Sequence, residues 1–234
     1  MTPELLAAIE AAKRETRPVV LATRLPGGQQ FLLPDPERSA SLNEAAAKAL
    51  RDDKSGTVKT EGGDVFLQVH NTPLRLIVVG AVHIAQALVP FAEQTGFAVT
   101  VVDPRRSFAS DERFPNVTIL GEWPDEALDA LKPDARTAVV TLTHDPKLDD
   151  PALDRALKSN AFYIGSLGSR RTHAARLGRL RELGHGDAAL ARIKGPVGLD
   201  IEAVTAPEIA LSIVAELVAV RHGASLSYMH KQAA

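Results

Sequence analysis

The polar residues best suited to bind a ligand follow an apolar segment. They lie in the run Gly165-Ser-Leu-Gly-Ser-Arg-Arg171. Glycines allow a ligand close to the backbone, and a serine before a helix can cap its first turn. The free N–H groups at a helix start bind anions, and neighbouring arginines favour phosphate. We therefore predict an anion site, with a plain structural turn as the alternative, formed by Gly165, Gly168, Ser169, Arg170 and Arg171.

A glycine turn follows the apolar segment 74–79 and reads Gly-Ala-Val-His-Ile-Ala. Gly80, Val82 and Ala85 occupy the three positions of a G-x-G-x-x-G/A pattern. Ala85 is small enough for helix–strand packing, but Val82 replaces the glycine that lets a pyrophosphate approach the backbone. The pattern predicts a dinucleotide-type βαβ unit and argues against ordinary NAD(P) binding.

Further polar residues lie at the ends of the first two predicted strands. His83, in the first turn of the helix after Gly80, could donate to a phosphate or remain an exposed helix residue. Asp103 could accept from ribose hydroxyls, and Arg105 and Arg106 could attract a phosphate. The alternative for this group is an ion pair within the loop.

Two later loops also carry candidate binding residues. His144 and Asp145 could form an acid–base pair or a turn, because Asp145-Pro146 favours turn initiation. Asp200 lies in the glycine–proline loop 194–202, which could close over a ligand or bind a cation. No spaced set of metal-binding side chains and no catalytic motif is present in the sequence. We therefore assign no catalytic residue and no resident metal.

These residues require a sheet that brings strand ends together. Apolar runs predict strands near 74–79, 98–102, 117–120, 137–142 and 161–164. Helices are predicted near 83–95, 124–131, 149–158, 169–183, 187–193 and 206–222. Continuous Val/Ile/Leu strands are typical of parallel sheets covered on both faces. The predicted fold class is α/β, a doubly wound parallel Rossmann-like sheet with a small α+β N-terminal domain.

The domain boundary is predicted at residues 72/73, which gives a small α+β module over 1–72 and a Rossmann-like domain over 73–234. The first segment shows helices near 2–15 and 41–51, and strands near 18–24, 30–33, 56–60 and 64–70. Ser41 and Glu44 have the spacing of a capping box for the second helix.

Composition narrows the function classes. A net charge of −2 argues against general nucleic-acid binding, and no apolar run is long enough for a membrane span. Cysteine is absent, which excludes thiolate chemistry. The first residues lack the pattern of a signal peptide, so we expect a cytoplasmic protein. Between Gly165 and Gly195 the sequence contains seven basic residues and two acidic ones. This basic excess indicates an anion site or a surface for an acidic partner, and the alternative is a solvated helix face.

Several segments in order resemble the C-terminal Rossmann-type domain of the XdhC/CoxI family, the accessory proteins of xanthine dehydrogenase and carbon monoxide dehydrogenase. The resemblance extends over about 150 residues. It rests on 79–83, 101–105, 108–115, 143–145, 163–171, 195–201 and 207–216. The chain departs from the family at Val82 and Ala85, where the family has glycines, and it lacks the N-terminal G-G-C-type motif.

The resemblance implies a chaperone that binds molybdenum cofactor (molybdopterin or its nucleotide form) as cargo. The implied partner is a molybdenum hydroxylase of the xanthine dehydrogenase type, and a homodimer is plausible. Two other functions stay open. One is an NAD(P)-dependent oxidoreductase with His83 or His144 as proton donor. The other is an interaction protein that no longer binds a ligand.

Overall fold

The computed structural model describes residues 1–15, 17–105 and 107–224. Arg106, included in the phosphate prediction, lies outside the described residues. The chain divides into two compact units, Met1–Thr72 and the segment from Pro73 onward.

The first unit consists of four strands and two helices. These elements are α1 Pro3–Arg14, β1 Val19–Leu25, β2 Gln30–Leu33, α2 Ala40–Asp52, β3 Gly56–Thr60 and β4 Gly63–His70. The strands form an antiparallel sheet in the order β2-β1-β4-β3. The core of the unit contains buried side chains from β1, β2, α2 and β4, among them Val20, Phe31, Leu42 and Leu67.

Helix α2 begins earlier than predicted. Its N-cap is Ser39, whose hydroxyl accepts from the Leu42 N–H at 3.4 Å, so the capping box proposed for Ser41 and Glu44 is wrong. The Asn43 amide explains the shift, because it pairs with both backbone polar groups of Asp35 and ties the preceding loop to the first turn of the helix.

The second unit consists of a six-stranded parallel sheet and the helices that cover it. Its strands are β5 Leu74–Val79, β6 Phe97–Val102, β7 Thr118–Leu120, β8 Thr137–Thr141, β9 Tyr163–Ser166 and β10 Ile193–Lys194. Its helices are α3 His83–Gln94, α4 Pro124–Leu131, α5 Pro146–Lys158, α6 Arg170–Glu182, α7 Asp187–Leu190 and α8 Ala206–Arg221. The strands lie in the order β10-β9-β8-β5-β6-β7. This is the Rossmann strand order, and the predicted fold class is confirmed.

The central strand β5 is buried on both faces, as continuous apolar strands in parallel sheets are. Leu76 and Val78 pack into the core formed with α3 and α8. Ile77 and Val79 point to the other face, into the core formed with α4, α5, α6 and α7. This two-layer burial keeps the strand ends rigid, so that loops following different strands are held at fixed positions.

Several boundaries differ from the sequence prediction, and for three of them the structure shows a local cause. Helix α5 begins at Pro146, because Asp145 caps it by accepting from the Lys147 N–H at 2.9 Å. Strand β9 continues to Ser166, whose hydroxyl bonds that of Thr141 at 2.5 Å. The predicted helix 187–193 ends at Leu190, because the next residues pair with β9 as the short strand β10.

Candidate functional site

The strand order reverses between β5 and β8, where Rossmann-type sheets bind ligands beyond the carboxyl ends of their strands. The turns at this edge include the turn after β5 at Gly80, the turn after β8 at Thr143 and the turn after β9 at Gly168. The Ala81 N–H donates to the side chain of Asp103, and the Thr143 hydroxyl donates to the side chain of Asp149.

The turn before α6 contains the start of a 13-residue helix with a serine cap. The Ser169 hydroxyl accepts from the Thr172 N–H at 3.1 Å, and Gly168 adopts φ 141°, a conformation suited to glycine. The first N–H groups of any helix lack an intrahelical acceptor. Arg170 and Arg171 are exposed beside them. This geometry can hold an anion through backbone and guanidinium donors.

Gly165 has a different role from the one predicted for it. It is buried in β9, and a Cβ there would lie 2.5 Å from the Val197 Cγ2 and 2.7 Å from the Tyr163 Cε1. This glycine therefore admits a neighbouring segment of the chain itself, and in this structure Val197 fills the space above it.

A buried arginine lies beneath the same turn. Arg176 is 1% exposed, and its Nη2 donates to the Leu167 carbonyl at 2.8 Å. The same Nη2 lies 3.5 Å from Oδ2 of buried Asp149. Among the described residues, no hydrogen-bond acceptor reaches Nε or Nη1 of Arg176. A buried cation with two donor nitrogens that no acceptor among the described residues reaches therefore lies next to the start of α6.

Asp149 connects this arginine to the turn after β8. Its Oδ1 accepts from the Thr143 hydroxyl at 2.6 Å, and Thr143 Oγ1 in turn accepts from the Asp145 N–H at 3.1 Å. Burial raises the pKa of Asp149 despite these hydrogen bonds and the charge of Arg176. Burial also lowers the pKa of Arg176, an effect that Asp149 opposes. The buried pair of Arg176 and Asp149 therefore contacts both the turn after β9 and the turn after β8.

The sequence analysis missed this role, since it counted Arg176 only among the basic residues. A signal was available: Arg176 lies one turn before Leu180 on the same face of α6, and Leu180 is fully buried.

Most of the basic side chains between Gly165 and Gly195 form hydrogen bonds or ion pairs with other residues of this chain. Arg179 binds both carboxylate oxygens of Asp150, and Arg181 pairs with Asp187 at 2.7 Å. The guanidinium of Arg192 donates to three backbone carbonyls, those of Leu157, Ser159 and Ala161. The exposed basic side chains that remain near the turn are those of Arg170, Arg171 and Lys194.

The turn after β5 is held by a carboxylate. Asp103 is fully buried, and its Oδ2 accepts from the Ala81 N–H at 2.8 Å. Arg105 binds the same carboxylate through Nε at 2.9 Å and Nη2 at 2.7 Å. Burial alone would raise the pKa of Asp103, but the hydrogen bonds from Arg105 and Ala81 outweigh burial and hold the pKa below its usual value. The loop ion pair, which the sequence left as an alternative, is present.

A second arginine closes this turn from the other side. Arg113 donates from Nη1 to the Ala81 carbonyl at 2.9 Å and from Nη2 to the Gln86 side chain at 3.0 Å. It also contacts the Phe108 carbonyl, so the loop after β6 lies over the turn. Sequence reasoning did not single out Arg113, because its partners come from a turn 32 residues away.

The two predicted histidine positions are exposed. His83 begins α3 after Val82, an N-cap without a side-chain hydrogen bond. His144 has φ 61°, while its neighbour Asp145 caps α5. The turn alternative for 144–145 therefore matches the observed contacts, and a histidine–aspartate hydrogen bond is absent among the described residues at this position.

The loop after β10 is anchored by Glu216. This buried carboxylate accepts from the Tyr163 hydroxyl at 2.5 Å and from the Gly198 N–H at 2.8 Å. Asp200, farther along the loop, is exposed and lies 4.0 Å from Arg170. Within the described ranges, no three His, Asp or Glu side chains are grouped so as to hold a metal ion. Within those ranges, too, no helix has the length and apolar character to cross a membrane.

Residues 76–217 match the family model described as the XdhC Rossmann domain. An uncharacterized Escherichia coli K12 protein, YqeB, is 35% identical over 171 residues, which cover 71% of this chain and 31% of YqeB. The molybdenum cofactor insertion chaperone PaoD of the same organism is 34% identical, over 63% of this chain and 40% of PaoD. A probable xanthine dehydrogenase subunit from Bacillus subtilis 168 is 31% identical, over 68% of this chain and 46% of the relative.

The crystal structure of a xanthine dehydrogenase from Bacillus halodurans has a similar fold. It superposes with a TM-score of 0.67 at 22% identity, covering 96% of this chain and 66% of that one. The chain spans less than half the length of each of the curated relatives named above.

Proposed function

This chain belongs to the XdhC family, and from that premise we propose that it binds molybdenum cofactor as cargo and assists maturation of a xanthine dehydrogenase-type molybdoenzyme. The names of two relatives support this role, one an insertion chaperone for the cofactor and the other a xanthine dehydrogenase subunit. In this role the chain binds, orients and releases the cofactor, and the receiving enzyme carries out the chemistry.

The observation that carries the proposal is the turn before α6. It combines a capped helix start, two exposed arginines and a buried arginine with two donor nitrogens that no acceptor in the described part of the chain reaches. These are donors only, which suits the terminal phosphate of a pterin cofactor better than a neutral group. The residues that would hold the phosphate are Gly168, Ser169, Arg170 and Arg171, with Arg176 beneath them.

The pterin ring would lie toward the β8 side of the crevice in this proposal. Thr143, His144 and Asp145 border that side, and the Gly195–Asp200 loop borders the other. When bound, the cofactor supplies a molybdenum centre, and the role of these residues is to position and shield it. The N-terminal unit, residues 1–72, is proposed as a separate module that has diverged from that of the family.

The test is retention of cofactor by the purified chain. The protein is expressed in a bacterial host that makes the cofactor, purified without oxygen, and oxidised so that released pterin can be measured by fluorescence. We expect close to one pterin per chain, and a loss of about tenfold or more in an Arg170→Ala/Arg171→Ala variant, because charge-assisted bonds contribute about 1.5–3 kcal/mol each.

Arg181→Ala is the matched control, since it removes an arginine from the other end of the same helix. It should leave the pterin content unchanged. Wild-type protein without pterin, even after incubation with added cofactor, would contradict the proposed function.

A further inference from the structure

We propose that the N-terminal unit binds an extended, acidic segment of a partner protein. The segment adds as a further strand beside β3 and places every second side chain, an apolar one, between β3 and α2. This inference is independent of the proposed function, because the residues that carry it lie within 1–72 and not in the crevice of the second unit. It rests on an open sheet edge, an apolar groove beside that edge and the charge of the groove.

The outer edge of β3 has no partner strand among the described residues, since β3 is the last strand in the order β2-β1-β4-β3. In an antiparallel pair, the backbone groups that do not face the partner strand point to the opposite edge. All five residues of β3 pair with β4 in an unbroken register, so no bulge disturbs this edge. β3 therefore offers a row of backbone donors and acceptors to another extended segment.

The edge of β3 is rigid and weakly protected. The Ser55 hydroxyl accepts from the Val69 N–H at 3.0 Å just before the strand begins, and the Thr60 hydroxyl donates to the Gly63 carbonyl at 2.6 Å at its end. Proteins protect edge strands with proline, bulges or charged side chains. Among these devices β3 has a single lysine, Lys59, so pairing with a further strand remains open.

An apolar groove of about 220 Å³ lies between β3 and α2. Its apolar lining comes from Ala45 and Ala49 of α2, Val58 of β3 and Leu67 of β4. Gly56 lies two residues before Val58 and therefore on the same face of the strand. A Cβ at Gly56 would meet no atom within 4 Å, so the groove is open above the start of β3. It has room for small aliphatic side chains of a bound strand.

The charged side chains that line the groove leave a net positive charge. Lys48 and Asp52 form an ion pair on α2, so these two charges compensate each other. Lys54 follows α2, lines the same groove and is exposed. Among the described residues of the lining, Asp52 is the only acid, so the charge of Lys54 remains to attract a carboxylate of the occupant.

These three features together define the occupant. The open edge favours an extended backbone, because only such a backbone pairs with a strand along its length. The groove favours aliphatic side chains at every second position, since side chains alternate along a strand. Lys54 favours a segment with carboxylates over a basic one.

The experiment measures binding of a fluorescein-labelled peptide of alternating valine and glutamate to the full chain by fluorescence anisotropy. We expect saturable binding by the wild type. A peptide with lysine in place of glutamate should bind at least about tenfold more weakly, because like charges then meet at Lys54. Two further peptides are methylated on alternate backbone nitrogens, one on the odd and one on the even positions. Only the peptide methylated on the nitrogens that face β3 should lose binding.

Gly56→Phe tests the groove. Gly56 has no positive φ, so a side chain there occupies the groove without backbone strain, and the affinity should fall at least about tenfold. Lys54→Glu should weaken binding of the valine–glutamate peptide about fivefold or more. Lys13→Glu is the matched control, since it makes the same charge change at an exposed lysine of α1 and should leave the affinity unchanged. Thermal unfolding checks that each variant is folded.

Absence of binding by the wild type, or equal binding by a folded Gly56→Phe variant, would overturn the inference. Light scattering tests whether a second copy of the chain takes the groove instead. Self-association of the wild type that Gly56→Phe abolishes would assign the groove to that copy and would also overturn the inference. The pterin content of Gly56→Phe should equal that of the wild type, so the failure of this inference is distinguishable from the failure of the proposed function.

Discussion

The guanidinium of Arg176 lies 3.5 Å from the carboxylate of Asp149, and both side chains are almost completely buried. Arg176 also binds the Leu167 carbonyl, and Asp149 binds Thr143, so the pair joins the turns after β9 and β8. Breaking a buried ion pair leaves one charge without compensation, which costs far more than breaking a surface pair.

Arg176→Met should therefore lower the free energy of unfolding by about 3–5 kcal/mol, measured by urea denaturation. The double variant Arg176→Met/Asp149→Leu should recover much of this loss, because neither charge is then left alone. Arg181→Ala, which breaks the exposed pair with Asp187, should cost at most about 1 kcal/mol. A similar loss for Arg176→Met and Arg181→Ala would contradict the assignment.

Asp103 should make the protein sensitive to acid. Its pKa is lower in the folded chain than in the unfolded one, so its contribution to stability is present above the unfolded value of about 3.9 and is lost as pH falls toward the folded pKa. Unfolding measured between about pH 5 and pH 2.5 should show a steeper decline in wild type than in Asp103→Asn. Parallel declines would count against this role.

The ionisation of Asp149 should affect the pH dependence of stability in the opposite direction from that of Asp103. Burial raises its folded pKa above the unfolded value, so the folded chain binds the proton more tightly and ionisation becomes less favourable on folding. Its contribution to stability is greatest below the unfolded pKa and declines as pH rises through the folded value. NMR titration of the Asp149 carboxyl carbon should give a midpoint above about 3.9, and a lower midpoint would contradict the burial effect.

Replacing Gly165 or Gly178 by alanine should change the stability of the protein in opposite directions. Gly165→Ala would place a Cβ 2.5 Å from Val197 and should destabilise the protein by about 1–3 kcal/mol. Gly178 lies inside α6 with nothing within 4 Å of the position of a Cβ, so Gly178→Ala should stabilise by about 0.5–1 kcal/mol. Thermal unfolding measures both, and equal effects would show that the crowding at Gly165 relaxes readily.

Glu216 should hold the loop after β10. Glu216→Gln removes the negative charge from the group whose Oε2 accepts from both the Tyr163 hydroxyl and the Gly198 N–H. Both hydrogen bonds should therefore become weaker while the side-chain volume is kept. Amide hydrogen exchange should rise in residues 195–200, with a loss of about 1–3 kcal/mol in stability. Glu208→Gln, at an exposed cap of the same helix, is the control and should leave this loop unchanged.

The apolar pattern of the chain determined its architecture. Continuous Val/Ile/Leu strands alternate with amphipathic helices, and such strands are stable only when covered on both faces, so the Rossmann-like sheet followed from residues such as Ile77 and Val78. The glycine turn and the Ser169 cap at the start of α6 also follow local rules that act over a few residues.

The tertiary structure alone decided how the charged residues are used. Sequence placed Asp103 and Arg105 at a strand end and left both a ribose contact and an ion pair open. Burial decided this, because a buried carboxylate requires nearby donors and Arg105 and Ala81 supply them. Arg113 and Arg176 acquired their roles from partners 32 and 27 residues away, contacts that local patterns do not encode. The fold follows from short-range periodicity, whereas the site depends on which side chains the fold brings together.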